Sequence, residues 1–170
     1  SGLIEPSAVE RAAYLSYAAA IVLGTSLVYV GGLPIVAVGL ASVASGIAYT
    51  GGPYPYGYRG LGDLFVFVFF GLVAVTGTYY VQAAATAVGS VLLADPTALV
   101  PPAGTVPVDA VIAALPPAGL STAILVVNNV RDRETDAAAG KRTLAVLLGY
   151  RWSRVEFLAL LAVGYATPPA

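Results

Sequence analysis

The chain of 170 residues contains no cysteine and no histidine, and only 10% of its residues are charged. Without cysteine there is no disulfide, no thiolate nucleophile and no zinc-cysteine site. Without histidine as well, acid-base or nucleophilic chemistry would fall to carboxylates, tyrosines or serines. Chemistry on a hard cation held by oxygen ligands stays open. The shortage of charge has a second consequence. Ordinary soluble domains are about a quarter charged, whereas here hydrophobic residues reach 58%. That balance points to a lipid bilayer as the solvent. The formal net charge of −1, with no block of like charge, excludes a nucleic-acid groove.

The apolar runs predict an all-α, polytopic transmembrane helical bundle. Spans are expected at about 12–30, 34–50, 64–90 and 117–136, with a partial span at 155–166 that is short of the roughly 20 residues needed to cross. Ser7 and Glu10 have capping-box spacing before the first run, and Gly31, Gly32 and Pro34 make the turn after it. Pro116 and Pro117 are expected to break any helix begun at Val108, so the fourth span restarts at Pro117. Thr76, Thr78, Tyr79, Tyr80 and Gln82 form a polar patch in the third run; Thr78, Tyr79 and Gln82 read mainly as hydrogen-bonding glue between helices. The chain opens at Ser1 without an initiator methionine or a signal-like leader, and it ends after the partial span. It therefore reads as one domain, residues 1–170, truncated at both ends.

Charge orients this threading. If the first span runs inside to outside, all eight basic residues fall inside and only Asp95 and Asp109 are charged outside. The rule predicts a multi-pass protein of the cell membrane. It also places the loop with Tyr54, Tyr56, Tyr58 and Arg59 on the same cytoplasmic side as the sequence's most chemical feature.

That feature is Asn128, Asp132 and Asp136, an amide and two carboxylates at four-residue spacing. On a helix such neighbours are roughly 40° apart and project from one face. Two carboxylates one turn apart repel unless a cation sits between them or basic groups pair them. Mg2+ suits the arrangement, because it takes one or two carboxylates and fills its other positions with water and phosphate oxygens. Lys141 and Arg142 follow, offering a point charge and a guanidinium fork for phosphate. The competing reading is a helix-end charge cluster, with both aspartates merely paired to Arg131, Arg133 or Arg142. An amide one turn deeper in the span weighs against it. Gly140 and Lys141 do not make a nucleotide phosphate loop, since Thr135 stands where such a loop needs glycine. For the loop tyrosines an interfacial aromatic belt competes with a cation-π role toward an allylic cation. Arg59 and Asp63 read equally as an orientation anchor and a helix N-terminal charge.

Residues 49–82, with Tyr58, Arg59, Gly60, Leu61, Gly62 and Asp63 at their centre, and residues 128–146 closely resemble the intramembrane aromatic prenyltransferases. Within them, the first stretch resembles the 1,4-dihydroxy-2-naphthoate polyprenyltransferases of menaquinone synthesis. The resemblance implies a nine-span bundle, of which this chain holds about four complete spans, with two magnesium-binding aspartate motifs facing a central cavity. Asn128, Asp132 and Asp136 match the second motif, as metal ligands. Lys141 and Arg142 match the basic pair for which a pyrophosphate-binding role is implied, and Tyr58, Arg59, Asp63 and Asn129 are assigned to substrate. No residues before Asp63 supply the first motif. The implied partners are polyprenyl diphosphate and an aromatic acceptor. The implied reaction transfers the polyprenyl group to 1,4-dihydroxy-2-naphthoate with decarboxylation, giving demethylmenaquinone and pyrophosphate, and it requires Mg2+. The truncated chain is expected to be inactive alone. Other prenyltransferases of the superfamily, a cation-binding transporter fragment and a structural subunit are the alternatives.

Overall fold

A computed structural model describes residues 4–166. It contains helices and turns, and among the described residues there is no strand. The first helix, α1 (Pro6–Thr50), is bent back on itself at Gly32, where φ is +63° and ψ −154°. Only glycine enters that region without strain. A Cβ on Gly46 would lie 2.5 Å from the Tyr17 hydroxyl, so the two arms lie side by side as a hairpin. The bend would strand backbone carbonyls in lipid, where an unpaired polar group costs several kcal/mol. Two side chains from elsewhere answer it: the Tyr80 hydroxyl donates to the Gly31 carbonyl at 2.6 Å, and Ser90 Oγ donates to the Tyr29 carbonyl at 2.5 Å.

After a 3-10 turn at Tyr56–Tyr58, the third membrane segment begins as α2 (Gly62–Val66). It passes through a π-helical segment, Phe67–Val73, and continues as α3 (Ala74–Val88). A short α4 (Val91–Ala94) and a proline-rich connection lead to α5 (Val108–Ala113) and α6 (Leu115–Arg131). Then follow α7 (Arg133–Ala138) and α8 (Leu144–Ala166), the latter broken at Gly149. Three stretches are long and apolar enough to cross a membrane: Pro6–Thr50, Gly62–Val88 and Val108–Arg131. Because the first folds in two at Gly32, the chain is a polytopic all-α bundle.

Its packing is the inverse of a soluble core. Ala84, Ala114, Ala118 and Ala123 are buried, while Leu15, Leu23, Leu40 and Phe70 are exposed. In lipid, large apolar side chains gain nothing by moving inward, so small residues let backbones approach instead. A Cβ on Gly71 would collide with Ala118, and one on Gly119 would lie 2.6 Å from the Leu160 carbonyl of α8. These contacts tie the π-helical segment and α8 to α6, the helix that carries Asn128 and leads into the aspartates.

The structure corrects several local expectations. Helix α1 begins at Pro6, with Glu5 at its N-cap and no side-chain cap, so Ser7 and Glu10 form no capping box. The proline pair behaves as expected: the helix begun at Val108 stops at Ala113, and α6 restarts at Leu115, two residues ahead of Pro117, with the prolines in its first turn, where the missing N–H has no partner to lose. Of the polar patch, Tyr80 supplies the bond between helices, whereas the Thr76 and Thr78 hydroxyls donate within their own helix, to the carbonyls of Leu72 and Ala74. Tyr79 is exposed.

Candidate functional site

The aspartate motif does not continue the membrane helix unbroken. Asp132 adopts φ −93° and ψ +6°, separating α6 from α7. Yet the Asp132 N–H donates to the Asn128 carbonyl at 2.9 Å, and the Asp136 N–H to the Asp132 carbonyl at 2.8 Å. The two steps linking the triad keep their helical hydrogen bonds, so Asn128, Asp132 and Asp136 remain one turn apart. Asn129 is half-buried beside Asn128 at the end of α6.

Helix α7 ends in a Schellman turn. Gly140 takes φ +75°, its N–H donates to the Ala137 carbonyl, and the Lys141 N–H donates to the Asp136 carbonyl at 2.9 Å. The reversal brings Lys141 back over the helix it has just left, and Lys141 Nζ donates to Asp136 Oδ1 at 2.9 Å. Asp136 is buried, and this charge-assisted bond holds the lysine's pKa above its ordinary value. Asp132 is more open. The Arg131 guanidinium grips both its oxygens at 2.8 Å, which lowers its pKa and keeps it ionised through the neutral range.

The basic pair is divided by the same turn. Lys141 faces Asp136, but Arg142 joins the tyrosine loop: its N–H donates to the Tyr58 carbonyl at 2.8 Å. The loop is anchored from below by Tyr56, which is buried, stacks on Phe65 at 3.9 Å between centroids, meets Tyr49 edge-on and donates its hydroxyl to the Ser45 carbonyl. Tyr58 lies under Lys141, with Nζ 5.1 Å from the ring centroid, and Arg59 lies 3.8 Å above the Tyr54 ring. Tyr54, Tyr58, Arg59, Gly140, Arg142 and Leu147 line a cleft of about 540 Å3. The loop and the aspartate motif thus meet around Lys141, as their common side of the bundle led us to expect.

Asp63 opens the third membrane segment and is buried, with Oδ1 making no hydrogen bond. Glu156 of α8 lies close enough for their charges to interact. Sequence reasoning passed over Glu156, although a lone acid in an apolar run is the usual signal of an intramembrane functional group.

Against these positions the chain was compared with known proteins. The model of the UbiA prenyltransferase family matches residues 1–170. The chain belongs to the UbiA prenyltransferase family. One relative, the 1,4-dihydroxy-2-naphthoate octaprenyltransferase of Mycobacterium tuberculosis, is 41% identical over 96% of this chain and 49% of its own length. The protein of the same name from Bacillus subtilis is 30% identical over 95% of the chain and 46% of its own length. UbiA prenyltransferase domain-containing protein 1 of Mus musculus is 32% identical over 96% and 43%. The chain thus spans about half the length of the curated relatives it matches. No solved structure matches it.

The donor chemistry here fits magnesium in a limited sense. Asp132, Asp136 and the Asn128 amide are hard oxygen donors, and the Arg131 pair on Asp132 is solvent-exposed, so it holds that carboxylate weakly. Among the described residues no three acidic side chains converge, so no all-protein cage is present. Magnesium seldom uses one.

Proposed function

We propose that this UbiA-family chain contributes the second aspartate wall of an enzyme that transfers a polyprenyl group from polyprenyl diphosphate to 1,4-dihydroxy-2-naphthoate, with release of pyrophosphate and carbon dioxide. The observation that carries the reading is the meeting of Asp136, Lys141 and Tyr58 at one end of the bundle. The names of the bacterial relatives supply the acceptor.

In this reading Asn128, Asp132 and Asp136 would hold Mg2+. When bound, the metal supplies the positive charge that steadies pyrophosphate as it leaves. Lys141, a cation whose bond to Asp136 raises its pKa further, donates to a phosphate oxygen. The Tyr58 ring offers its face to the developing allylic cation. Apolar walls such as Phe65 and Phe69 accommodate the isoprenoid and keep water from the cation. Asp63 and Asn129 face the substrates as polar groups at the ends of their helices. A second acidic wall completes the clamp, and the basic side of the bundle faces the cytoplasm across the cell membrane.

The test is product analysis with the full-length protein, a polyprenyl diphosphate and Mg2+. With 1,4-dihydroxy-2-naphthoate the expected result is a prenylated, decarboxylated naphthalene product. Transfer only to 4-hydroxybenzoate or to a glyceryl phosphate would contradict the acceptor assignment.

A further inference from the structure

Helix α8 packs on α6 along one stripe. A Cβ on Gly119 would meet the Leu160 carbonyl, and one on Gly164 would meet the Leu120 side chain. Ser153, one of the most deeply buried side chains, continues that stripe toward the break at Gly149. At roughly 100° per residue, Arg151 stands about 180° from Leu160, and Arg151, Arg154, Val155 and Leu158 share an arc of about 100°. All four are exposed. The face turned away from α6 is therefore basic at its start and apolar below. Its two arginines lie one turn apart, where like charges repel, and neither has a carboxylate within ion-pair distance among the described residues. The Arg154 guanidinium lies 5.7 Å from the centroid of the Tyr150 ring, which holds it on this face. Trp152 is exposed beside them, an amphipathic ring of the kind that settles at headgroup level. Leu158 comes two turns after Arg151, about 10 Å further along the helix and so deeper in the bilayer.

We propose that this face of α8 binds an anionic phospholipid of the surrounding bilayer, with Arg151 and Arg154 on the phosphodiester and an acyl chain laid along Val155 and Leu158. Charge complementarity names the occupant. Two guanidiniums one turn apart demand an anion between them, and their forks match phosphate oxygens. A zwitterionic lipid would bring its own ammonium against the pair, whereas a phosphatidylglycerol headgroup leaves its negative charge unopposed. The apolar continuation separates a lipid from a soluble anion, because inorganic phosphate would leave Val155 and Leu158 unused. The position separates it from the reaction site: both arginines lie on the far side of α8 from α6, and neither lines the cleft of Tyr58 and Arg142. A lipid bound here stabilises the folded protein by mass action, and through α8 it steadies the helix that carries Asn128. The inference rests on the proposed orientation only for the leaflet, which would be the cytoplasmic one, and it is independent of the acceptor and of magnesium.

The experiment titrates the full-length protein, in a neutral detergent, with phosphatidylglycerol and with phosphatidylcholine of the same acyl chains, and reads bound lipid by native mass spectrometry. Wild type is expected to prefer phosphatidylglycerol about tenfold or more. Arg151→Gln and Arg154→Gln should each reduce that preference about threefold or more, and the double variant should abolish it. Both residues are exposed, so their replacement leaves the fold intact, which equal unfolding temperatures in phosphatidylcholine alone would verify. Adding phosphatidylglycerol should then raise the unfolding temperature of the wild type and not that of the double variant. Arg151→Lys, which keeps the charge and loses the fork, should retain part of the preference. Arg11→Gln, at an exposed arginine on the same side of the bundle, is the control for charge in general and should behave as wild type. The proposal is overturned if wild type shows no preference, if the double variant keeps it, or if Arg11→Gln lowers it as much. Displacement of the lipid by an equal concentration of inorganic phosphate would assign the pair to a soluble anion, and weakened pyrophosphate binding in the two single glutamine variants would assign it to the diphosphate wall. Either result also overturns the proposal.

Discussion

Asp132→Ala and Asp136→Asn in the full-length protein are expected to lower prenyl transfer by about a hundredfold or more each, the scale of losing one electrostatic contact to a leaving group. The two substitutions differ in what else they disturb. Asp132 is paired to Arg131 in the open, with side chains 44% and 68% exposed, so its removal should leave the unfolding temperature close to that of wild type. Asp136 is buried against Lys141, and alanine there would leave the lysine facing a void. Asparagine keeps the shape and a hydrogen-bond acceptor while removing the charge. Turnover measured alongside thermal unfolding in detergent separates the two effects. Wild-type turnover in both variants would mean that the carboxylates anchor the helix end, as the charge-cluster reading has it, and do no chemistry.

The second large effect is one of packing. Gly71→Val forces a branched side chain against Ala118 of α6, and the atoms it meets, Ala118 Cβ, Cα and N, cannot rotate away. Overpacking of this kind costs about 1–3 kcal/mol, and for a chain of this size that lowers the melting temperature by about 2–10 °C. A Cβ on Gly77, on the same long helix, would have nothing within 4 Å, so Gly77→Ala is the control. Alanine there should hold or raise stability by up to about 1 kcal/mol, because it favours the helix over the unfolded chain. The folded, monodisperse fraction after stepwise heating distinguishes them. Equal behaviour would show that the π-helical segment and α6 are not in contact as described.

Much of this site could be read before the fold was known, for reasons that are local. The spacing of Asn128, Asp132 and Asp136 is a property of the helix repeat, and it survives the break at Asp132 because both i to i+4 bonds persist. Gly140 is the residue type that ends a helix in a left-handed reversal, and the Schellman turn after α7 is such a reversal. What could not be read depends on which way a turn throws its neighbours. Lys141 and Arg142 look like one basic pair, but adjacent residues leaving a tight turn diverge, and only the docking of Arg142 on Tyr58 fixes where each ends. The three loop tyrosines likewise look equivalent. One is exposed over Arg59, one is buried on Phe65 and one lies under Lys141. The Gly71 and Gly119 contacts were illegible for another reason: close approach of helices is a pairwise property, and glycine alone does not name its partner.

The account turns on Asp132 and Asp136 as one wall of a magnesium diphosphate site. Binding of a non-hydrolysable polyprenyl thiodiphosphate to the full-length protein, titrated with and without Mg2+, tests it most directly. The expected result is affinity that falls about tenfold or more when the metal is chelated, and an Asp132→Asn variant whose affinity no longer responds to Mg2+. Binding that ignores the metal, or an Asp132→Asn protein that keeps the full magnesium response, would contradict it.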